Sequence, residues 1–206
     1  MHIPSRQTEK QEAFLYNYDM IGNQMVNAGA LHQMLKPYKA HLITGHTHYN
    51  LNVVFDENLM EHNTAAVCGT WWKADICLDG TPRGYGIYEV NDNDVKWYYK
   101  SSGYPKEHQF RSYPVGASKE HPSDIIANVW NWDKLWKVEW LEDGQLMGNM
   151  TRYTGLDPYA SVVCSDREKM VYTWITPRPT QHMFRATPKN KDAHITVKVT
   201  DRFGKE

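Results

Sequence analysis

The chain has 206 residues, enough for one large domain or two small ones, each with its own hydrophobic core. Its 23 Lys and Arg residues nearly balance its 24 Asp and Glu residues, so no bulk charge favours nucleic acid, and a small or neutral partner is expected. Because the sequence lacks the ~20 consecutive apolar residues of a membrane span, we expect a soluble product. It also lacks an N-terminal signal peptide, which bears on the compartment only if Met1 is the native start rather than an internal methionine of a longer product.

The first predicted elements are two helices. Thr8 with Gln11 resembles a capping box that opens the first helix. Asn27 is predicted to cap the second helix, and Pro37 helps to end it. Apolar residues recur at helical spacing in this second helix: Leu31, Met34, Leu35 and Tyr38.

A short buried strand, Leu42-Ile43, is predicted next and leads directly into Gly45-His46-Thr47-His48. Helix, strand and polar loop in this order are typical of α/β proteins, in which ligands collect outside the carboxyl ends of strands. Gly45 permits a tight turn, and Thr47 lets the two imidazoles diverge toward neighbouring points. Neutral imidazole binds Zn, Fe, Ni and Mn, so the loop is a candidate metal site. The alternative is a pair of strand-end histidines bonded to the backbone.

Beyond residue 50 the pattern is that of β-strands. Residues 51–55 and 64–68 are predicted strands, and residues 84–90 and 95–100 are predicted to form a hairpin. The polar segment from residue 101 to residue 122 is the best domain boundary. Further strands are predicted after it, and together they suggest an antiparallel sandwich: 125–132, 135–141, 161–164, 171–175 and 195–199.

Two residue types leave alternatives open. The tryptophans of the second half alternate with charged residues, as in an inward-facing core stripe, but they could also form a platform for a glycan: Trp130, Trp132, Trp136 and Trp140. Three cysteines without CxxC spacing indicate neither a disulfide framework nor a zinc site, although one bridge remains possible, Cys68 to Cys77.

The sequence resembles the calcineurin-like metallophosphoesterases. His2-Ile3-Pro4 and Gly45-His46-Thr47-His48 resemble the last two motifs of that family, at similar spacing. Three downstream strings resemble a bacterial subgroup in which a β-sandwich follows the catalytic domain: Cys68 to Trp72, Asp79 to Tyr85 and Trp97 to Lys100. Relatives with this layout resemble exported enzymes with longer N-terminal regions.

The resemblance implies a fold and a metal site. It implies an α/β part over residues 1–105, which is the C-terminal part of a metallophosphoesterase β-sandwich with flanking helices. Residues 106–206 would form an all-β antiparallel sandwich, so the chain would be β-rich overall. It also implies two divalent ions (Mn, Zn, Fe or Ni), with His2 and His46 on one metal and His48 on the other, that act on a small phosphoester.

The other motifs of the family are missing from this chain. Asp-x-His, Gly-Asp and Gly-Asn-His would supply the bridging carboxylate, further ligands and the catalytic histidine. Asp192-Ala193-His194 spells the first motif but follows the closing motifs, so it is read as coincidence. We therefore expect a fragment without a catalytic residue of its own, inactive alone and prone to self-association through exposed strand edges. The binding-module alternative has the sandwich recognise a glycan or envelope component beside a remnant phosphoesterase half.

Four residues after the histidine loop are candidates for a substrate rim: Trp71, Trp72, Asp79 and Arg83. The competing interpretation is ordinary β packing and a turn. The other histidines without partners at recognisable spacing are expected to be surface or hydrogen-bonded residues: His62, His108, His121 and His182.

Overall fold

The computed structural model describes residues 1–5 and 24–206, and this part of the protein is β-rich, with twelve strands and two helices. The helix predicted to open at Thr8 lies outside the described residues. None of the helices in the described part is long and apolar enough to cross a membrane.

The first sheet contains the strand that leads into the histidine loop. Helix α1 (Ala28–Leu35) precedes β1 (Ala40–Thr44), which is followed by β2 (Leu51–Val54) and β3 (Leu59–Asn63). The strand order is β1-β3-β2, with β1 parallel to β3 and β2 antiparallel to it. The predicted second helix is thereby confirmed as α1, although the Asn27 side chain makes no capping hydrogen bond.

Two predictions in this region were wrong. The Leu42-Ile43 strand forms, but it is not buried: Ile43 is 45% exposed, because β1 is an edge strand of this sheet. The predicted strand over residues 64–68 is irregular chain and turn, and the strand lies earlier, at β3. All five side chains of β3 are buried although Glu61, His62 and Asn63 are polar, which concealed the strand from a hydrophobic pattern.

The predicted hairpin is confirmed. Strands β4 (Gly84–Asn91) and β5 (Asp94–Ser101) pair antiparallel over their whole length. Trp97 and Tyr99, two positions apart, are buried on one face of β5, as strand alternation requires.

The second half contains two antiparallel sheets. One has the order β10-β11-β7-β6 and the other β12-β8-β9, and no sheet of the described part is closed. Their strands and one helix are β6 (Arg111–Tyr113), β7 (Ile125–Asn128), β8 (Lys137–Glu142), β9 (Gln145–Asn149), β10 (Thr151–Gly155), α2 (Pro158–Ser165), β11 (Thr180–Ala186) and β12 (Ile195–Thr200).

Two strands predicted here were wrong. Residues 161–164 lie within helix α2, because the Asp157 side chain accepts a hydrogen bond from the Ala160 N–H and Pro158 occupies the first turn. Residues 171–175 form turns and irregular chain. The bridge considered between Cys68 and Cys77 is not formed, since both are free thiols.

Side chains from both sheets of the second half build one hydrophobic cluster. Strands β7 and β11 contribute Ile125 and Phe184, while β8 and β12 contribute Trp140 and Val199. Trp132 and Trp136 pack against the same cluster, and Trp130 is fully buried in another. These tryptophans are therefore core residues in this structure, which argues against the glycan platform.

Buried polar contacts join the first half of the chain to the second. The Asn50 side chain donates to the Trp130 carbonyl at 2.6 Å, and Asn52 donates to the Asn131 carbonyl at 2.7 Å. Near the C-terminus, the guanidinium of Arg202 lies 4.7 Å from the centre of the Trp97 ring, and its Nη1 lies 3.6 Å from Sδ of Met60. The histidine loop thus connects two strands of a sheet that is hydrogen-bonded directly to the second half.

Candidate functional site

The predicted metal-ligating histidines lie at the carboxyl end of β1. The N-terminal segment runs beside this strand, with the Met1 amino group donating to the Ile43 carbonyl at 2.9 Å. The Gly45 N–H donates to the His2 carbonyl at 3.0 Å. These two bonds place His2 next to the Gly-His-Thr-His loop, although His46 lies 44 positions after His2 in the sequence.

His2 and His46 face each other directly. Nε2 of His2 and Nδ1 of His46 are 2.9 Å apart, and the two rings are nearly perpendicular. Two nitrogens that bind one octahedral ion at about 2.05 Å lie about 2.9 Å apart, whereas two tetrahedral ligands lie about 3.3 Å apart, so the pair fits two adjacent ligands of an octahedral ion more closely. In the absence of a metal the same distance suits a hydrogen bond between the rings.

His48 points to a different place. Its Nδ1 lies 4.0 Å from Sγ of Cys68, and its ring lies 4.9 Å from the ring of Trp71. Burial lowers the pKa of His48, and the nearby His46 and His2 add to this effect, while a hydrogen bond to the Gly69 backbone opposes it. A lowered pKa favours the neutral imidazole, which is the form that binds metals.

The three histidines do not form a complete metal site by themselves. Among residues 1–5 and 24–206, no cluster of three or more His, Cys, Asp or Glu side chains could hold a metal ion. The structure brings His2 and His46 together and leaves His48 apart. Assignment of these residues to two metals therefore stays a prediction.

The backbone is strained at the loop and beside it. His46 and His48 have φ values of 72° and 58°, and Trp71 and Trp72 have φ values of 46° and 65°. Residues other than glycine seldom adopt this left-handed region, and such strain is concentrated at functional sites. The histidine loop and the Trp71-Trp72 turn are therefore candidates for a functional site, in which the direction of the side chains is kept at the cost of backbone strain.

Buried polar side chains of β3 hold the histidine loop and the N-terminal segment in place through hydrogen bonds. The carboxylate of Glu61 accepts hydrogen bonds from the Ser5 N–H at 2.8 Å, from the Ser5 hydroxyl and from the Thr44 hydroxyl at 2.8 Å. Asn63 donates to the Thr47 hydroxyl at 2.6 Å. Glu61 thus holds the segment that carries His2 and the strand that carries the loop.

The sequence contained a signal for these supporting residues that the prediction missed. Glu61 and Asn63 are two positions apart in a strand, so both can point to the same face. Polar residues at the buried positions of a strand need hydrogen-bond partners. The partners of Glu61 and Asn63 are distant in sequence, so the three polar residues Glu61-His62-Asn63 do not look like a buried strand.

The four predicted substrate-rim residues lie in different environments. Trp71 and Trp72 are 39% and 74% exposed, and Arg83 is also exposed. Asp79 is only 1% exposed, and its carboxylate accepts hydrogen bonds from the backbone N–H of Asn50 and from the hydroxyl of Thr81. Trp71 is therefore the candidate that the structure brings closest to a predicted metal ligand.

A separate cavity lies away from the histidine loop. Its volume is about 290 Å³, and it is lined by residues of β5 and β12, by the chain that follows each of them and by Trp136, which directly precedes β8. None of the predicted site residues lines this cavity.

Comparison with known proteins gives one family. A family model described as the C terminal of Calcineurin-like phosphoesterase matches residues 61–206, more than half of the chain. Comparisons with curated proteins and with solved structures give no match. The match agrees with the resemblance that the histidine motifs and the downstream strings indicated, so the chain belongs to the calcineurin-like phosphoesterases.

Proposed function

We propose that the protein takes part in metal-dependent hydrolysis of a small phosphoester, and that His2, His46 and His48 are metal ligands. The observation that carries the proposal is the 2.9 Å approach of His2 Nε2 to His46 Nδ1 at the end of β1. Membership of a family that is generally metal-dependent supports it. The strained backbone at His46 and His48 supports it further, because it fixes the direction of both side chains.

The residues of this chain would hold and orient the ions. His2 and His46 supply neutral imidazole nitrogens to one ion, and His48 supplies a nitrogen to the second. Bound divalent ions would polarise the phosphoryl oxygens and activate a water molecule. Glu61 keeps the His2 segment against β1 through Ser5, and Asn63 holds the loop through Thr47. This support limits the loss of side-chain freedom when a metal binds.

We further propose that the remaining ligands of the site come from protein outside these 206 residues. The sequence has no Gly-Asp pair and no Gly-Asn-His string. Three imidazoles cannot neutralise two divalent ions, so no water would be held between the ions. The chain alone is then inactive, although it still contains the histidine half of the centre.

The fold that accompanies this function has two parts in our proposal. Residues 1–105 form the C-terminal part of the α/β phosphoesterase domain, and residues 106–206 form a β-sandwich. The parallel pairing of β1 with β3 supports the first assignment. The shared hydrophobic cluster of the two later sheets supports the second.

Calorimetric titration of the chain with Mn²⁺ and Zn²⁺ tests the proposal. We expect binding that weakens at least tenfold in His46→Ala and in His2→Ala, because each variant removes one of two facing ligands. His194→Ala, at an exposed histidine of the other half, is the matched control and should bind like the parent chain. Equal affinity in all four proteins would rule out this ligand assignment.

Hydrolysis of bis(4-nitrophenyl) phosphate by the same proteins tests the second part. We expect no turnover above that of the metal ions alone. Metal-dependent turnover that disappears in His46→Ala would show that the 206 residues are sufficient for activity.

A further inference from the structure

A row of aromatic rings leads away from the histidine loop. The ring of His48 lies 4.9 Å from that of Trp71, and Trp71 lies 4.8 Å from Trp174 in an edge-to-face arrangement. Trp174 in turn stacks on Tyr172 with 5.7 Å between ring centroids. Trp71 belongs to the first half of the chain, whereas Trp174 and Tyr172 belong to the second.

The aromatic row is open to solvent. Trp174 and Tyr172 are 55% and 50% exposed, and the adjoining Val171 is 60% exposed. Tryptophan and tyrosine bury large areas when they are placed in a core, so several exposed ones in contact with each other are unusual. Exposed patches of this kind mark surfaces that bind a ligand or a partner.

Two features of the row favour a small ligand that also reaches the histidines. The row begins in contact with His48, so a molecule that stacks on it lies beside the proposed metal ligands. The perpendicular planes of Trp71 and Trp174, at 87°, form a corner rather than a flat patch. A corner of two indole rings can contact both the face and the edge of a single ring.

We propose that Trp71, Trp174 and Tyr172 form a binding surface for the ring of a phosphoester whose alcohol part carries an aromatic ring, and we call it the aromatic surface. The inference rests on the proposed function, since the phosphate of that molecule would face the histidines. The second half of the chain thereby selects the substrate, because two of the three rings belong to it.

Binding to the full chain, measured in the absence of metal by saturation-transfer NMR and calorimetry, tests the aromatic surface. The probes are phenyl phosphate, a nucleoside 5′-monophosphate and a hexose 6-phosphate, with inorganic phosphate as the ring-free reference. We expect phenyl phosphate, the nucleoside 5′-monophosphate or both to bind at least tenfold more tightly than inorganic phosphate. A hexose 6-phosphate that binds more tightly than both aromatic probes would contradict the choice of an aromatic ring.

Substitutions at Trp174 separate stacking from general apolar contact. We expect Trp174→Ala to weaken binding of the best probe about tenfold, as is usual for loss of a stacked ring, and Trp174→Phe to keep most of it. Tyr38→Ala is the control, because Tyr38 is an exposed aromatic residue that precedes β1 at the end opposite the histidine loop. Circular dichroism melts confirm that each variant is folded.

Several results would overturn the inference. One is equal affinity for ring-bearing probes and inorganic phosphate, and another is binding that Trp174→Ala leaves unchanged. A dimer in sedimentation velocity that dissociates in Trp174→Ala would show that a second copy covers the surface instead. The ring-binding measurements omit metal, so they test the aromatic surface separately from the metal ligands. If the ring-bearing probes do not bind but Mn²⁺ does, only the aromatic surface is disproved. If Mn²⁺ does not bind but the probes do, only the metal proposal is disproved.

Discussion

At the residue scale, the polar side chains of β3 explain how two distant histidines meet. Glu61 is fully buried and accepts hydrogen bonds from Ser5 and from Thr44. Ser5 also contacts the His32 imidazole of α1 at 2.8 Å. One carboxylate therefore links the N-terminal segment, the first helix and the strand before the loop.

Replacing Glu61 should weaken metal binding, although Glu61 is not itself a proposed metal ligand. In Glu61→Ala we expect affinity for Mn²⁺ to fall about 10- to 100-fold, the usual range for residues that orient ligands, because Ser5 and Thr44 lose their shared acceptor. Calorimetry of the variant measures this change. Glu89→Ala, at an exposed position of β4, should bind like the parent chain. Unchanged affinity in a folded Glu61→Ala protein would exclude the positioning role.

We expect His62 to make the stability of the protein depend on pH. Its ring lies between His41 Nδ1 at 2.9 Å and Asn52 Oδ1 at 3.1 Å. Burial, with smaller contributions from the nearby His41 and Arg202, lowers the pKa of His62 to about 3. Because the unfolded chain binds the proton near pH 6.5 and the folded chain does not, stability falls as the pH decreases from 6.5 toward 3.

We expect the free energy of unfolding to be about 2 kcal/mol lower at pH 5 than at pH 7.5. The pH then lies about 1.5 pH units below the unfolded-state pKa of histidine, and each unit corresponds to about 1.36 kcal/mol. Urea unfolding at both pH values measures it. His62→Gln should reduce this dependence on pH, whereas His194→Gln, at an exposed histidine, should not. A parent protein that is equally stable at both pH values would contradict the assignment.

At the element scale, some of the structure could be predicted because its causes are local. The β4–β5 hairpin, helix α1 and the final strand β12 follow from alternation and helical spacing within short windows. Helix α2 is hidden in the sequence because Val162-Val163 resembles a strand, although Asp157-Pro158 is a helix start signal. Strand β3 was missed because its polar residues are satisfied only by partners elsewhere in the chain.

The candidate site was predictable to a similar extent. The loop and its relation to His2 follow from motif and spacing, and the structure brings His2 and His46 together. The supporting Glu61 and the aromatic neighbour Trp174 depend on contacts between segments that are far apart in sequence. The two-residue spacing of Glu61 and Asn63 indicates a shared strand face, but no local pattern indicates which segments Glu61 holds or that Trp174 contacts Trp71.

The two halves of the chain pack closely at Gly80, in the turn before Thr81. Gly80 has a φ of 82°, and a Cβ there would lie 2.2 Å from Cγ of Asp157. Gly116 has a similar φ of 87° but has nothing within 4 Å of the same position. We expect Gly116→Ala to cost about 1 kcal/mol from backbone strain and Gly80→Ala about 1–3 kcal/mol more from overpacking. Urea unfolding of the pair measures the difference, and equal losses would contradict the close approach.

At the scale of the whole molecule, a buried polar network joins the two halves. His182 Nε2 lies 3.3 Å from the carboxylate of Asp79, and its Nδ1 lies 2.6 Å from Asn128 Oδ1. Asn128 donates to the Asp79 carbonyl at 3.0 Å and to Asp157 at 2.8 Å. Asp79 belongs to the proposed phosphoesterase half, and its partners belong to the proposed sandwich.

This network should make the protein unfold as one cooperative unit. We expect circular dichroism and tryptophan fluorescence to give coincident urea transitions. Asp79→Ala should lower the free energy of unfolding by about 3 kcal/mol, because His182 and Asn50 lose a buried acceptor. Asp192→Ala, at an exposed position, should have little effect. Two separate transitions in the parent chain would show that the halves are independent.

The most direct test of the metal proposal is anomalous diffraction from crystals of the chain soaked in Mn²⁺ or Zn²⁺. We expect a peak within about 2.0–2.2 Å of both His2 Nε2 and His46 Nδ1, the ordinary distance for such ligands. Occupied sites elsewhere, with the two imidazoles still hydrogen-bonded to each other, would contradict the assignment of this pair as metal ligands.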